Sequence, residues 1–122
     1  MLISMVRAKL HQARVTDADL NYEGSIGIDT DLLDAAGLFP YEKVLVVDIE
    51  NGNRLETYII PAEAGSHEIS LNGAAARLVD VGDRIIIMSF IHVDYPPPSD
   101  WQPYVLIMDE NNTIRKTIGT KT

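Results

Sequence analysis

The sequence predicts a small all-β barrel, and three observations point there. Short apolar or alternating runs recur with turn residues between them, and the helical stretches are brief. The third is an internal echo: Ala35-Ala36-Gly37-Leu38 leads to Val44-Leu45-Val46, and Ala75-Ala76-Arg77-Leu78 leads to Ile85-Ile86-Ile87. Two occurrences are too few for a solenoid and fit a barrel of two similar halves, each with a short helix feeding a buried strand.

The elements follow in order. Residues 3–15 read as a strand, because Val6, Ala8 and Leu10 alternate with Arg7, Lys9 and His11, the period that sends successive side chains to opposite faces. Residues 16–21 are turn chemistry. The stretch 22–28 is extended, but its two glycines weaken it, so Gly24-Ser25 is expected at an irregular backbone position. A helix is expected at about 31–36, capped by Asp29 or Thr30, apolar at Leu32, Leu33 and Ala36, and stopped by Gly37. Residues 43–49 form the clearest strand. Asn51-Gly52 signals a hairpin into 54–60, and Pro61, lacking an N–H for the ladder, is expected to end that strand. A short strand at 68–71, a helical turn at 73–78 and a turn at Val81-Gly82-Asp83 lead to an apolar strand over 84–91. Residues 95–100 are extended loop, 104–108 are a last strand, and the tail beyond is expected to fray.

The 122 residues suit one domain, and 46% hydrophobic residues can build a core. The formal charge of −8 opposes nucleic-acid binding, which draws its affinity from Lys and Arg on phosphates. Without cysteine there is no disulfide scaffold, thiolate metal site or cysteine nucleophile. His11, His67 and His92 show no paired spacing, so no metal site is expected. No apolar run approaches the ~20 residues that span a bilayer, and Arg7 charges the N-terminal stretch too early for a signal peptide. A cytoplasmic protein with no membrane partner is the expectation.

G-x-S-x-G and phosphate-loop patterns are absent. What remains is Glu23-Gly24-Ser25. Such a pair in a strand connection reads most simply as a turn. It also has a chemical reading: a serine hydroxyl can attack the unhindered carbonyl of the preceding glycine, converting amide to ester. Elimination and hydrolysis would then leave a keto group at a new N-terminus. Residue types alone leave both readings open. Arg54 and Tyr58 share one strand face, as do Lys9 and His11. A solvated face explains them most simply, while Lys9 with Arg54 would also suit a small dianion.

Taken together, Lys9-Leu10-His11, Val15-Thr16, Ala18-Asp19-Leu20, Tyr22-Glu23-Gly24-Ser25, Asn51-Gly52, Arg54, Thr57-Tyr58 and Asn72-Gly73-Ala74-Ala75-Ala76 resemble the pyruvoyl-dependent aspartate 1-decarboxylases. The match runs in register from residue 1 to about 93, and residues 103–112 look like the family's final strand. The resemblance implies a mainly β, double-psi β-barrel with short helices, assembled as a homotetramer with active sites between subunits. It implies one domain, 1–122, self-cleaved at Gly24-Ser25 into a β chain, 1–24, and an α chain, 25–122, whose Ser25 becomes the covalent pyruvoyl group. By the same resemblance Gly24, Ser25, Thr57 and Asn72 serve processing, with Thr57 orienting the Gly24 carbonyl. Lys9 and Arg54 hold substrate carboxylates, and Tyr58 donates a proton. His11, Tyr22, Thr57, Asn72 and the backbone of Gly73, Ala74 and Ala75 line the pocket. The implied reaction passes through a Schiff base between the pyruvoyl group and L-aspartate, giving β-alanine and carbon dioxide for pantothenate and coenzyme A biosynthesis. It leaves a maturation partner unassigned. Val47 and the proline-rich 95–101 segment depart from the pattern. The alternatives are a pyruvoyl decarboxylase of another acidic amino acid, glutamate, and an unprocessed barrel serving as a binding module.

Overall fold

Alternation builds the first strand, β1 (Leu2–Arg14), in a computed structural model that describes residues 1–121. Thr122, the last residue of the expected α chain, lies outside them. Bulges interrupt β1 between Val6 and Ala8 and between His11 and Ala13, the second with Gln12 at φ 64°. The second bulge resets the phase, so Leu10 and Ala13 both reach the core although they stand three positions apart, an odd offset.

The chain continues through β2 (Asp17–Asp19), β3 (Ser25–Asp29), α1 (Thr30–Ala36), β4 (Lys43–Asp48), β5 (Arg54–Ala62), β6 (Ile69–Asn72), a 3₁₀ helix (Gly73–Leu78), β7 (Arg84–Asp94), β8 (Tyr104–Met108) and β9 (Ile114–Ile118). The strand order is β2-β6-β3-β5-β4-β7-β1-β8-β9. The echo in the sequence is a pseudo-two-fold in space. β3 pairs antiparallel with β6, and β4 with β7. β1 joins β7 as β5 joins β4, and β2 lies parallel to β6 as the end of β5 lies parallel to β3. Two interlocked halves with these parallel crossings make a double-psi β-barrel.

The inward residues form one core. Leu10, Ile26, Ile28, Val46, Ile59, Ile69, Leu71, Ile85 and Leu106 are fully buried, each side chain contributing roughly 1.5–3 kcal/mol of transfer free energy. Asp29, as expected, caps α1, and Gly37 closes it in the left-handed region. Asp29 also accepts the N–H groups of Gly65 and His67, at 3.0 and 2.8 Å. Burial pushes its carboxyl up, but the N–H groups of His67, Asp31 and Gly65 outweigh burial and hold it below the usual range.

Four expectations are corrected. Residues 17–19 form a strand inside the expected turn, because β6 offers a free edge there and pairing outweighs the poor strand propensity of Asp. Pro61 does not end β5. The N–H and C=O of Ile59 bond to Glu42 and Tyr41, so the Pro61 nitrogen, two residues on, faces that same side, away from β3, where no ladder strand continues. The apolar strand over 84–91 extends to Asp94, drawn out by pairing with Leu2. The tail does not fray after residue 108, since β9 pairs with β8. Buried Asn112 secures this hairpin by bonding both backbone groups of Arg14 and the carbonyl of His67. Trp101 fastens the proline-rich loop by donating to the Val6 carbonyl at 2.9 Å.

At the end of β4, buried Asp48 accepts the N–H of Glu50 at 2.8 Å, while its second oxygen has no donor. Burial and the neighbouring Asp83 carboxyl raise its pKa to about 6. The folded chain therefore holds this proton more tightly than the unfolded one. Its stabilising effect is complete below the unfolded value and disappears as pH rises through about 6. Asp48→Asn, which keeps the acceptor and adds a donor toward Asp83, should remove this slope. Urea unfolding at about pH 4.5 and about pH 7.5 should show the variant gaining roughly 1–3 kcal/mol on wild type at the higher pH.

Candidate functional site

The site begins with the β3–β6 ladder. β3 is buried along its whole length, with Ile26 paired to Leu71 on the inward face and Ser25 paired to Asn72 on the other. Ser25 is 1% exposed. Its hydroxyl donates to the Glu23 carbonyl at 3.1 Å and accepts from Asn72 Nδ2 at 3.1 Å. Gly24 is exposed, in a bend just outside the strand. The expected irregularity is not a positive φ at Gly24; it lies opposite, at Gly73, with φ 67°.

β5 brings the next residues. Ile26 pairs with Ile59 in parallel, and one step back sets Ser25 beside Tyr58, both directed away from the core. The Tyr41 ring stacks on that of Tyr58, with centroids 6.4 Å apart and planes at 25°. Tyr41 was not singled out in the sequence; its φ of 68° is a backbone feature no motif announces. Thr57 falls on the inward side with Leu55 and Ile59, level with Gly24. Among the described residues, no hydrogen bond joins its hydroxyl to Gly24. Tyr22 and Asn72 line an open groove of about 630 Å³ over the outer surface of β3, together with Gly27, Ile60 and Ser70. Gly73, Ala74 and Ala75 begin the 3₁₀ helix directly after Asn72, with Ala74 exposed and Ala75 half-buried.

Lys9, His11 and Arg54 stand elsewhere. Cross-strand pairing sets His11, Ile86, Val47 and Arg54 in one row, and Lys9, Met88, Leu45 and Glu56 in the next. Both rows lie on the outer face, since the alternating residues Leu10, Ile87 and Val46 point inward. Lys9 and His11 lie on β1, which pairs with β7 and β8, and among the described residues no pairing or hydrogen bond joins either of them to Ser25. Arg54 lies four residues from Tyr58 along β5, about 13 Å at strand rise. The resemblance expects these groups to meet in a site between subunits, and within one chain they form two separate sets. Val47 contributes to the same outer face with Leu45, Ile86, Met88, Val105 and Ile107, all half-buried. No helix among the described residues is long and apolar enough to cross a membrane, and no cluster among them could hold a metal ion.

This barrel, with buried Ser25 following an exposed Gly24, has relatives. The aspartate decarboxylase family profile matches residues 1–115, and the chain belongs to that family. Aspartate 1-decarboxylase of Salinibacter ruber is 56% identical over 117 residues, covering 96% of this chain and 80% of its own. The enzyme of the same name from Carboxydothermus hydrogenoformans is 53% identical, covering 95% and 91%. That of Neisseria meningitidis is 52% identical, covering 98% and 94%. Among solved structures, the computationally designed msDPBB_sym2 protein covers 73% of this chain at a TM-score of 0.43 and 16% identity.

Burial, and then the Lys9 ammonium on the same face, hold the His11 imidazole below its ordinary value. A histidine NMR titration should therefore place its midpoint under the usual 6.5, and Lys9→Gln should move it upward. A midpoint above that value, or one indifferent to residue 9, would contradict the arrangement.

Proposed function

We propose that this protein decarboxylates L-aspartate to β-alanine and carbon dioxide after cutting its own chain between Gly24 and Ser25. The supporting observation is the placement of Ser25: a buried hydroxyl held on both sides, next to a carbonyl whose residue has no side chain, in a chain that matches the decarboxylase family over nearly its full length. In the cut, the Ser25 oxygen bonds to the Gly24 carbonyl carbon, the peptide C–N bond breaks, and the hydroxyl proton passes to the Ser25 nitrogen. Loss of the Ser25 Cα proton then expels the Gly24 carboxylate and leaves an alkene. Water replaces the nitrogen, released as ammonia, and a ketone remains at residue 25. These residues fit a pyruvoyl group at that point. When formed, it supplies a carbonyl that binds the substrate amine and accepts the electrons left as carbon dioxide departs.

The chain's own groups do the rest. Tyr58, beside residue 25 and steadied by the Tyr41 ring, delivers the proton to the substrate α-carbon. Asn72 and the Gly73–Ala75 backbone line the pocket. Lys9 and Arg54 bind carboxylate, the guanidinium in bidentate fashion. Those two stand on an outer face among six half-buried aliphatic residues, and in this reading a second copy presents them to Ser25. That apolar face suits burial against an identical subunit, which supports a homotetramer with its sites between subunits.

Intact-mass analysis of aged full-length protein tests the cut. Two fragments, 1–24 and 25–122, the larger one trappable by borohydride, are expected. Ser25→Ala should stay a single uncut species without activity; one uncut wild-type mass would refute the reading. Arg54→Ala should raise KM for aspartate about ten- to a hundredfold and narrow its preference over asparagine. An unchanged preference would remove Arg54 from the carboxylate site. Formation of 4-aminobutyrate from glutamate in place of β-alanine would reassign the substrate.

A further inference from the structure

Gly24 rests on Gly73. Asn72 is the ladder partner of Ser25, so one further pair sets Gly73 opposite Gly24. A Cβ on Gly73 would stand 2.8 Å from both the Cα and the nitrogen of Gly24 and 2.9 Å from the Tyr22 carbonyl oxygen. All three are backbone atoms, so no side-chain rotation relieves the crowding. Gly73 is also at φ 67°, a conformation that costs an ordinary L-residue about 1–2 kcal/mol. Gly52, at φ 77°, shares the backbone conformation but would meet nothing within 4 Å.

We propose that Gly73 is a positioning residue for self-cleavage, its bare Cα forming the seat that keeps the Gly24 carbonyl in reach of the Ser25 hydroxyl. This rests on the self-cleavage reading above. Ser25 is fixed by β3 and Asn72, whereas Gly24 lies outside the ladder and exposed. What Gly24 leans on therefore sets the approach of its carbonyl carbon to Ser25 Oγ. A methyl at position 73 would push Gly24 away by roughly 0.5–1 Å to restore ordinary carbon–carbon contact. The acyl shift forms a C–O bond and breaks a C–N bond within one tight ring, and such steps lose rate steeply with misalignment. Gly73 thus acts through the backbone of its neighbour and needs no functional group.

The test follows scission between residues 24 and 25 in freshly purified full-length chains by intact mass, with and without brief neutral hydroxylamine in the cold, which splits an ester there and spares the Asn51-Gly52 and Asn72-Gly73 bonds that only hot alkaline hydroxylamine cuts. Gly73→Ala should slow cleavage about 10–100-fold and accumulate uncut chain that hydroxylamine leaves whole, placing the block before the ester. Gly52→Ala, which carries the backbone strain without the contact, should cleave close to the wild-type rate. Cleavage of Gly73→Ala as fast as Gly52→Ala would overturn the proposal, and so would its stalling as a hydroxylamine-labile ester. Should Gly73→Ala fail to fold, Gly73→Asn brings the same Cβ with better tolerance of positive φ, and the same time course decides. If wild type itself never cleaves, the self-cleavage reading falls first, and that result is distinct from a failure at Gly73 alone.

Discussion

The pairing of β3 with β6 is the constraint on which the molecule depends. It joins the two halves of the barrel, seals Ile26, Ile28, Ile69 and Leu71 in the core, and leaves Ser25 and Asn72 opposite each other on the outer side. A slip of one residue would exchange those faces, exposing isoleucines and burying the serine hydroxyl among aliphatics. Register and the placement of Ser25 beside Asn72 are thus set by the same ladder. The hydrophobic content of β3 holds the Ser25 hydroxyl in place between the Glu23 carbonyl and Asn72.

Around that ladder, polar side chains do the fastening that hydrophobic packing leaves undone. Asp29 collects three backbone N–H groups from α1 and the 65–67 loop. Arg7 reaches Gly37, Glu42 and Ser89 from the first bulge of β1, joining the end of α1 to β7. Asn51 and Asn53 both donate to the Leu78 carbonyl, so the β4–β5 hairpin holds the far end of the 3₁₀ helix that starts at Gly73. Apart from the Asp31 cap, each of these links spans at least 25 residues of sequence.

Much of this was legible in the sequence. The alternation in β1, the Asp29 and Gly37 caps, the Asn51-Gly52 hairpin and the repeated helix-to-strand pattern are local signals, and they appear where they were expected. β2, the continuation of β5 through Pro61 and the β8–β9 hairpin were not legible, because a distant strand decides each of them. Ser25 and Asn72 come together as ladder partners, with Tyr58 on the adjoining strand β5. Lys9, His11 and Arg54 are brought to one outer face by pairing across β7 and β4, and spacing along the chain carries no information about that. Gly73 is the subtler case. Its place in the motif was plain, but its contact with Gly24 required coordinates.

β1 lies between β7 and β8 in the middle of the sheet, while β2 closes the barrel against β6. A nick after Gly24 would therefore free a chain end without freeing a segment. The short piece would stay threaded through the barrel as an inner stave, kept by its ladders and by Leu10 and Ala13, and could leave only if the whole assembly melted. Such a molecule can trade a covalent link for a reactive terminus and give up little of its architecture.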